Sequence, residues 1–198
     1  MKKIFTFTTF LLIIISSWSK VYSIEADVFV QSAVNRAAST LSGNLTKEER
    51  IDKLKDIARE TVDIDGIGSY SLGSHKKNLT ENQLNKYKKV FTEYFLKSFS
   101  SRLAEYSNPE INVISKKVIN KNYTMVSSIL VSTESRPEVK IDWRIYTKEP
   151  DNLLIRDLII EGLSLARTQK EEFSSIMNSN DGKIEVLLKS LSDFASNN

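Results

Sequence analysis

Side chains with catalytic potential are scarce in this 198-residue sequence, which contains one histidine and no cysteine. A Ser-His-Asp arrangement would have to use His75, and a cysteine nucleophile is not available. His75 lies in a polar segment, residues 73–78, with no nucleophile-elbow pattern nearby. His and Cys clusters of the kind that bind zinc are also missing from the sequence. We therefore expect no catalytic residue, no metal site, no cofactor and no enzymatic activity.

Paired carboxylates are the other arrangement that could support acid–base chemistry. Asp157 and Glu161 share the parity of a predicted strand, four residues apart, which corresponds to about 13 Å on extended backbone. Glycosidase carboxylates lie roughly 5 to 9.5 Å apart. We therefore expect Glu161 to serve the adjacent turn and Asp157 to pair with Arg144, Arg156 or a lysine.

Large apolar side chains are the remaining candidates for a functional site. They concentrate on one predicted helix and one predicted strand, at Tyr87, Phe91, Tyr94, Phe95, Phe99, Tyr106 and Trp143. Ordinary core packing would produce this pattern, and so would a pocket for an apolar ligand. The residues alone leave both interpretations open.

The N-terminus has the features of a secretory signal peptide. Lys2 and Lys3 precede an apolar run over residues 4–15, and Val21 and Ser23 occupy the −3 and −1 positions of a cleavage site. The run is shorter than the roughly 20 residues that a membrane span requires. The sequence therefore predicts a cleaved signal peptide over residues 1–23 and one secreted domain over residues 24–198.

The charge balance limits the partners of the predicted mature chain. The formal net charge is +3, and removal of Lys2, Lys3 and Lys20 with the signal peptide would leave the mature chain neutral. A nucleic-acid-binding protein needs a basic surface, so this class is not expected. The lack of cysteine means that the fold depends on its core, without disulfides.

Hydrophobic periodicity predicts four helices followed by a sheet and further helices. Helical spacing covers residues 25–41, the segment after the capping box Thr46-x-x-Glu49, a short stretch over residues 65–72, and the long segment after Thr80-x-x-Gln83. The period then changes to two over residues 110–119, 123–132, 138–147 and 153–161, with short turns between them. Helical spacing returns after Gly162. The predicted fold is α+β, with helices covering one face of a four-stranded antiparallel meander.

One segment carries a family resemblance, because residues 157–165 read D-x-x-I-E-G-x-S-L. Its marked positions are Asp157, Glu161, Gly162 and Ser164. Together with residues 62–65 and 70–73, this segment resembles the MlaC family of periplasmic phospholipid-binding proteins.

The resemblance implies a curved sheet packed by helices around an apolar cavity that holds phospholipid acyl chains. It also implies a carrier that exchanges lipid between an outer-membrane lipoprotein complex and an inner-membrane ABC transporter with an MCE-domain subunit, and so maintains outer-membrane lipid asymmetry. The residues expected to line the pocket are Phe91, Phe95, Phe99, Val126, Ile141, Trp143 and Ile159.

Two other functions remain open at this stage. Curled sheets with covering helices also host small isomerases and dehydratases, and such an enzyme would use His75 with Asp63 or Asp65 as the base. An apolar cavity could also serve a chaperone for the acyl chains of lipoproteins.

Overall fold

The computed structural model describes residues 24–197. The predicted signal peptide, residues 1–23, lies outside the described residues. Helices come first, then the sheet, then two further helices, as the sequence predicted. The helices are α1 (Ala26–Ser42), α2 (Lys47–Thr61), α3 (Ile64–Ser71), α4 (Glu81–Ala104), α5 (Leu165–Asn178) and α6 (Ile184–Ser196), and a 3₁₀ helix spans Gly73–Asn78. The strands are β1 (Ile111–Asn120), β2 (Tyr123–Leu130), β3 (Val139–Tyr146), β4 (Leu154–Ile160) and β5 (Leu163–Ser164).

Both predicted capping boxes form and fix the starts of α2 and α4. The Thr46 Oγ1 accepts a hydrogen bond from the Glu49 N–H at 3.2 Å, and the Glu49 carboxylate accepts one from the Thr46 N–H at 2.8 Å. Thr80 and Gln83 make the same reciprocal pair. Each box satisfies backbone donors that the first helical turn leaves unpaired.

The strands form one antiparallel sheet in the order β1-β2-β3-β4-β5. The α+β meander is therefore confirmed, but the predicted number of four strands is one too few. The extra strand, β5, has two residues and pairs Leu163 with Ile160. A tight turn makes this pairing possible, because Glu161 and Gly162 have φ values of 48° and 84°. Positive φ at both central residues is typical of a type I′ hairpin turn.

Alternation along β3 determines which face of the sheet is buried. Ile141, Trp143 and Ile145 are buried, whereas Lys140 before them is exposed and Asp142 and Arg144 between them are half-buried. Successive side chains of a strand point to opposite faces, so the buried set faces the helices. This alternation of apolar and charged residues gives the sheet one apolar face against the core and one face toward solvent.

An aromatic cluster packs α4 against α3 and α5. The rings of Phe91 and Phe173 lie 6.1 Å apart at 87°, and Tyr87 stacks on Phe91 at 5.5 Å. The Tyr87 hydroxyl donates to the Gly68 carbonyl at 3.0 Å. Gly68 lets the helices approach, since a Cβ at this position would lie 2.7 Å from the Phe91 ring. Among residues 24–197, no helix is long and apolar enough to cross a membrane.

Candidate functional site

An apolar cavity of about 140 Å³ lies between the helices and the buried face of the sheet. Its walls come from α1, α2, the end of α4 with the loop that follows, and strands β1 to β4. None of the residues in these walls carries a charge. The Thr61 hydroxyl in the wall donates to the Ile57 carbonyl at 2.7 Å, so it offers little to a polar ligand. A cavity lined in this way stays dry and favours apolar groups.

Trp143 dominates the sheet side of the cavity. Its indole N–H donates a hydrogen bond to the Ser128 Oγ at 2.8 Å, and the Ser128 hydroxyl donates to the Ile141 carbonyl at 3.2 Å. Ser128 is fully buried on the neighbouring strand. The polar atom of the indole is thereby satisfied inside the protein, and its apolar rings form part of the wall.

Small side chains on α1 form part of the helix side of the cavity. Ala33, Ala37 and Ala38 line it, with Ile57 of α2 beside them. Alanine at these positions keeps α1 from filling the space in front of the sheet. The sequence interpretation placed the pocket against α4 and missed this face, although the spacing of Ala33 and Ala37 on an apolar helix face was visible in the sequence.

The aromatic residues of α4 are divided between the cavity and the core. Phe99 lines the cavity, and Phe95 stacks on it with centroids 5.7 Å apart and planes at 9°. Phe91, two turns before Phe99, is buried in the aromatic cluster beside Phe173. Of the three phenylalanines predicted to line the pocket, Phe99, which is nearest the C-terminal end of α4, is the one in the cavity wall.

The strand residues that the sequence analysis proposed for the pocket also fall into two groups, one in the cavity wall and one outside it. Ile141 and Trp143 lie in the wall, whereas Val126 is fully buried in the core outside it. Ile159 pairs with Asp142 and Ser164, on the outer face of the sheet. The physical reason is a register shift at Arg156, where one extra residue reverses the parity expected for a regular strand.

The structure thus brings three of the proposed lipid-binding residues together at the cavity. These are Phe99, Ile141 and Trp143. The other four lie outside the cavity wall in this state of the protein, namely Phe91, Phe95, Val126 and Ile159.

Asp157 is the first residue of the segment that carries the family resemblance, residues 157–165, and is 3% exposed. Its carboxylate accepts hydrogen bonds from the Ser164 hydroxyl at 2.7 Å and from the Ala166 N–H at 3.0 Å. The Arg144 Nη1 lies 3.5 Å away, which is one of the pairings expected from the sequence. The Ser164 Oγ in turn accepts from the Arg167 N–H at 3.1 Å. Asp157 and Ser164 therefore cap α5 and fix it on β4.

Glu161 serves the turn between β4 and β5. Its carboxylate accepts a hydrogen bond from the Lys140 N–H, and its own N–H donates to the Lys140 carbonyl at 3.0 Å. Gly162 occupies the second positive-φ position of the turn. Asp157, Glu161, Gly162 and Ser164 position α5 and do not line the cavity, whereas Leu158 and Ile160 of the same segment do.

The acid–base pair considered in the sequence analysis, His75 with Asp63 or Asp65, does not come together at the cavity. His75 lies in the 3₁₀ helix and is not part of the cavity wall. The Asp63 carboxylate accepts from the Gly66 N–H at 2.8 Å and also binds Arg156, while Asp65 faces Lys88 at 4.0 Å. Within residues 24–197, no group of three His, Asp or Glu residues could hold a metal ion.

The fold and the cavity together define the class of protein, which is an α+β protein with an uncharged apolar cavity between its helices and an antiparallel sheet. The family model described as "MlaC protein" matches residues 30–193. The chain therefore belongs to the MlaC family.

Two relatives agree with this assignment. The chain is 24% identical to the intermembrane phospholipid transport system binding protein MlaC of Haemophilus influenzae, over 99% of this chain and 94% of that protein. A phospholipid-binding protein from Ralstonia solanacearum, solved in complex with a phospholipid, has a similar fold with a TM-score of 0.73. That likeness spans 87% of this chain and 98% of the other, at 18% identity.

Proposed function

We propose that this protein is a periplasmic phospholipid carrier that holds acyl chains in the apolar cavity. The observation that carries the proposal is the uncharged cavity itself, with the Trp143 indole anchored in its wall. Family membership supports it, because the named Haemophilus relative is a phospholipid transport protein and the Ralstonia protein was solved with a phospholipid bound.

The energetics of lipid transfer explain why such a protein needs no catalytic group. Exposing about 30 chain methylenes to water would cost on the order of 24 kcal/mol, at about 0.8 kcal/mol each. A dry cavity replaces one apolar environment with another, so transfer from membrane to carrier can be close to neutral. Modest affinity differences between donor and acceptor then set the direction, since about 1.4 kcal/mol changes an equilibrium tenfold.

The size of the cavity indicates that loading requires movement. At about 140 Å³ it falls below the roughly 300 to 1,000 Å³ of sites for larger ligands, and a cavity of about 150 Å³ holds a molecule the size of benzene. The α1 wall includes three alanines, whose short side chains lose little packing when the helix separates from the sheet. We therefore propose that α1 and α2 move away from the sheet when acyl chains enter.

Localisation and partners follow from the same proposal. Residues 1–23 act as the signal peptide and residues 24–198 as one lipid-binding domain in the periplasm. The carrier exchanges phospholipid between an outer-membrane lipoprotein complex and an inner-membrane ABC transporter that carries an MCE-domain subunit. Its transport between the two membranes maintains the lipid asymmetry of the outer membrane.

A blocking substitution tests the proposal. Ala37 lines the cavity and is half-buried, so Ala37→Trp should fill the space that the acyl chains need. Ala195→Trp is the matched control, because Ala195 is a half-buried alanine of α6 outside the cavity. With delipidated protein and vesicles that contain a pyrene-labelled phospholipid, we expect uptake by the unmodified protein and the control, and loss of uptake in Ala37→Trp.

Two results would contradict the carrier function. One is a folded, delipidated protein that extracts no phospholipid from vesicles. The other is a clear preference for an acylated peptide over phospholipid in the same assay, which would instead favour a chaperone for lipoprotein acyl chains.

A further inference from the structure

Arg136 lies in the loop between β2 and β3, where its backbone is held in place. Thr133 and Arg136 exchange backbone hydrogen bonds, from the Thr133 N–H at 2.8 Å and from the Arg136 N–H at 3.3 Å. The Arg136 Nη2 donates to the Val131 carbonyl at 3.1 Å. The loop therefore presents the guanidinium in a defined position rather than as a free surface side chain.

The position of the guanidinium is at the rim of the cavity. Its central carbon lies 5.4 Å from the centroid of the Tyr106 ring. Tyr106 lines the cavity and is 38% exposed, so its ring is in contact with both the cavity and the solvent. The backbone of this loop is also tied to the segment entering β1, because the Val131 N–H donates to the Glu110 carbonyl at 2.8 Å.

Among residues 24–197, no carboxylate lies within 4.0 Å of the Arg136 guanidinium to neutralise its charge. The arginines of residues 24–197 that lie within 4.0 Å of a carboxylate are Arg36, Arg59, Arg144 and Arg156. In addition, the Arg136 Nε is buried and has no hydrogen-bond partner in the described part of the chain. A buried polar atom without a partner carries a desolvation cost that an incoming acceptor can offset.

We propose that Arg136 binds the phosphate of the phospholipid whose acyl chains occupy the cavity. This inference rests on the proposed carrier function and specifies its ligand. A guanidinium matches the geometry of a phosphate through parallel N–H donors, and the rim position is where a headgroup lies when the chains are inside. The Arg50 Nε is also buried without a partner, but its guanidinium contacts the Gly43 carbonyl at 3.4 Å, and Gly43 is not in the cavity wall.

The test compares a lipid that carries a phosphate group with one that has the same acyl chains and no phosphate. Delipidated protein is offered dioleoyl phosphatidylethanolamine or dioleoylglycerol in otherwise identical neutral vesicles. Arg136→Gln should weaken the binding of the phospholipid about tenfold, the value of one charge-assisted contact at a partly exposed rim, and leave the binding of dioleoylglycerol unchanged. Arg167→Gln is the matched control, because it removes the same charge from an exposed position on α5, which does not line the cavity.

A salt series with the unmodified protein gives a second readout that does not depend on a variant folding. The preference for the phospholipid over dioleoylglycerol should fall as the ionic strength rises. Equal loss of both lipids in Arg136→Gln, or a preference that salt does not change, would overturn the assignment while leaving the carrier function intact. Tight binding of inorganic phosphate that Arg136→Gln abolishes, without an effect on the phospholipid, would also overturn it. Failure of the unmodified protein to bind either lipid would reject the carrier function itself.

Discussion

The indole N–H of Trp143 donates a hydrogen bond to the Ser128 Oγ across 2.8 Å, which joins two adjacent strands at the wall of the cavity. Ser128 is fully buried, and Trp143 is 8% exposed. The sequence has two tryptophans, and the other, Trp18, lies in the predicted signal peptide. The tryptophan fluorescence of the mature protein should therefore come from a single residue in the proposed site.

Removing the hydroxyl of Ser128 should leave the indole N–H without a partner in a buried position. We expect Ser128→Ala to lower the free energy of unfolding by about 1 to 3 kcal/mol and to alter the Trp143 emission. Urea unfolding followed by this emission measures both effects. Ser115→Ala, an exposed serine of β1, should stay within about 0.5 kcal/mol. Equal effects of the two substitutions would show that the hydrogen bond does not anchor the indole.

Asp157 should matter for stability and not for lipid affinity. Asp157→Ala leaves the Ser164 hydroxyl and the Ala166 N–H without their acceptor, at about 1 to 3 kcal/mol for each unsatisfied donor. Asp157→Asn keeps one carbonyl acceptor and should lose less. Thermal unfolding measures the stability, and lipid bound per folded molecule should equal that of the unmodified protein. A specific loss of lipid from a fully folded Asp157→Asn protein would contradict the capping role.

Replacing each of two glycines with alanine should change the free energy of unfolding in opposite directions. At Gly68 a Cβ would lie 2.7 Å from the buried Phe91 ring, and overpacking of about 1 to 3 kcal/mol exceeds the helix-propensity gain of about 1 kcal/mol. Gly43 has a φ of −77°, and its nearest contact to an added Cβ is 3.5 Å. Gly43→Ala should therefore stabilise the protein by about 0.4 to 1 kcal/mol. Urea unfolding of both variants checks the signs, and a stabilised Gly68→Ala would contradict the described packing of α3 on α4.

Tyr87 should make the protein sensitive to alkaline pH. Burial raises the pKa of the Tyr87 hydroxyl above its ordinary value. As the pH rises, this hydroxyl therefore ionises first in the unfolded chain, at about pH 10. The stability that the neutral Tyr87 hydroxyl contributes is fully present below that pH, and it is lost as the pH rises toward the pKa of this hydroxyl in the folded protein. Tyr87→Phe should cost about 0.5 to 1.5 kcal/mol at neutral pH, through the lost bond to Gly68, and should lose less stability on alkaline titration. An unchanged alkaline slope would contradict this account.

The fold could be predicted from the sequence more completely than the site, because the features that determine the helices and strands are local in the sequence. The capping boxes at Thr46 and Thr80 and the alternation of Ile141, Trp143 and Ile145 each depend on neighbours within a few residues. The two-residue strand β5 was missed because it depends on the positive φ of Glu161, which no hydrophobic period reveals.

The site depends on how distant elements pack. The cavity exists because α1 presents alanines to the sheet, and nothing local in the sequence places α1 opposite Trp143. Ile159 was assigned to the buried face from strand parity, and the extra residue at Arg156 reverses that parity. Phe91 and Phe99 share a helix face, but α5 covers the former and leaves the latter at the cavity.

Native mass spectrometry of the mature protein purified from the periplasm, with organic extraction of the bound material, tests the carrier function most directly. We expect a diacyl phospholipid to copurify at close to one molecule per protein, and Ala37→Trp to lack it. A clean mass of the unliganded chain, together with no uptake of labelled phospholipid from vesicles, would contradict the carrier function.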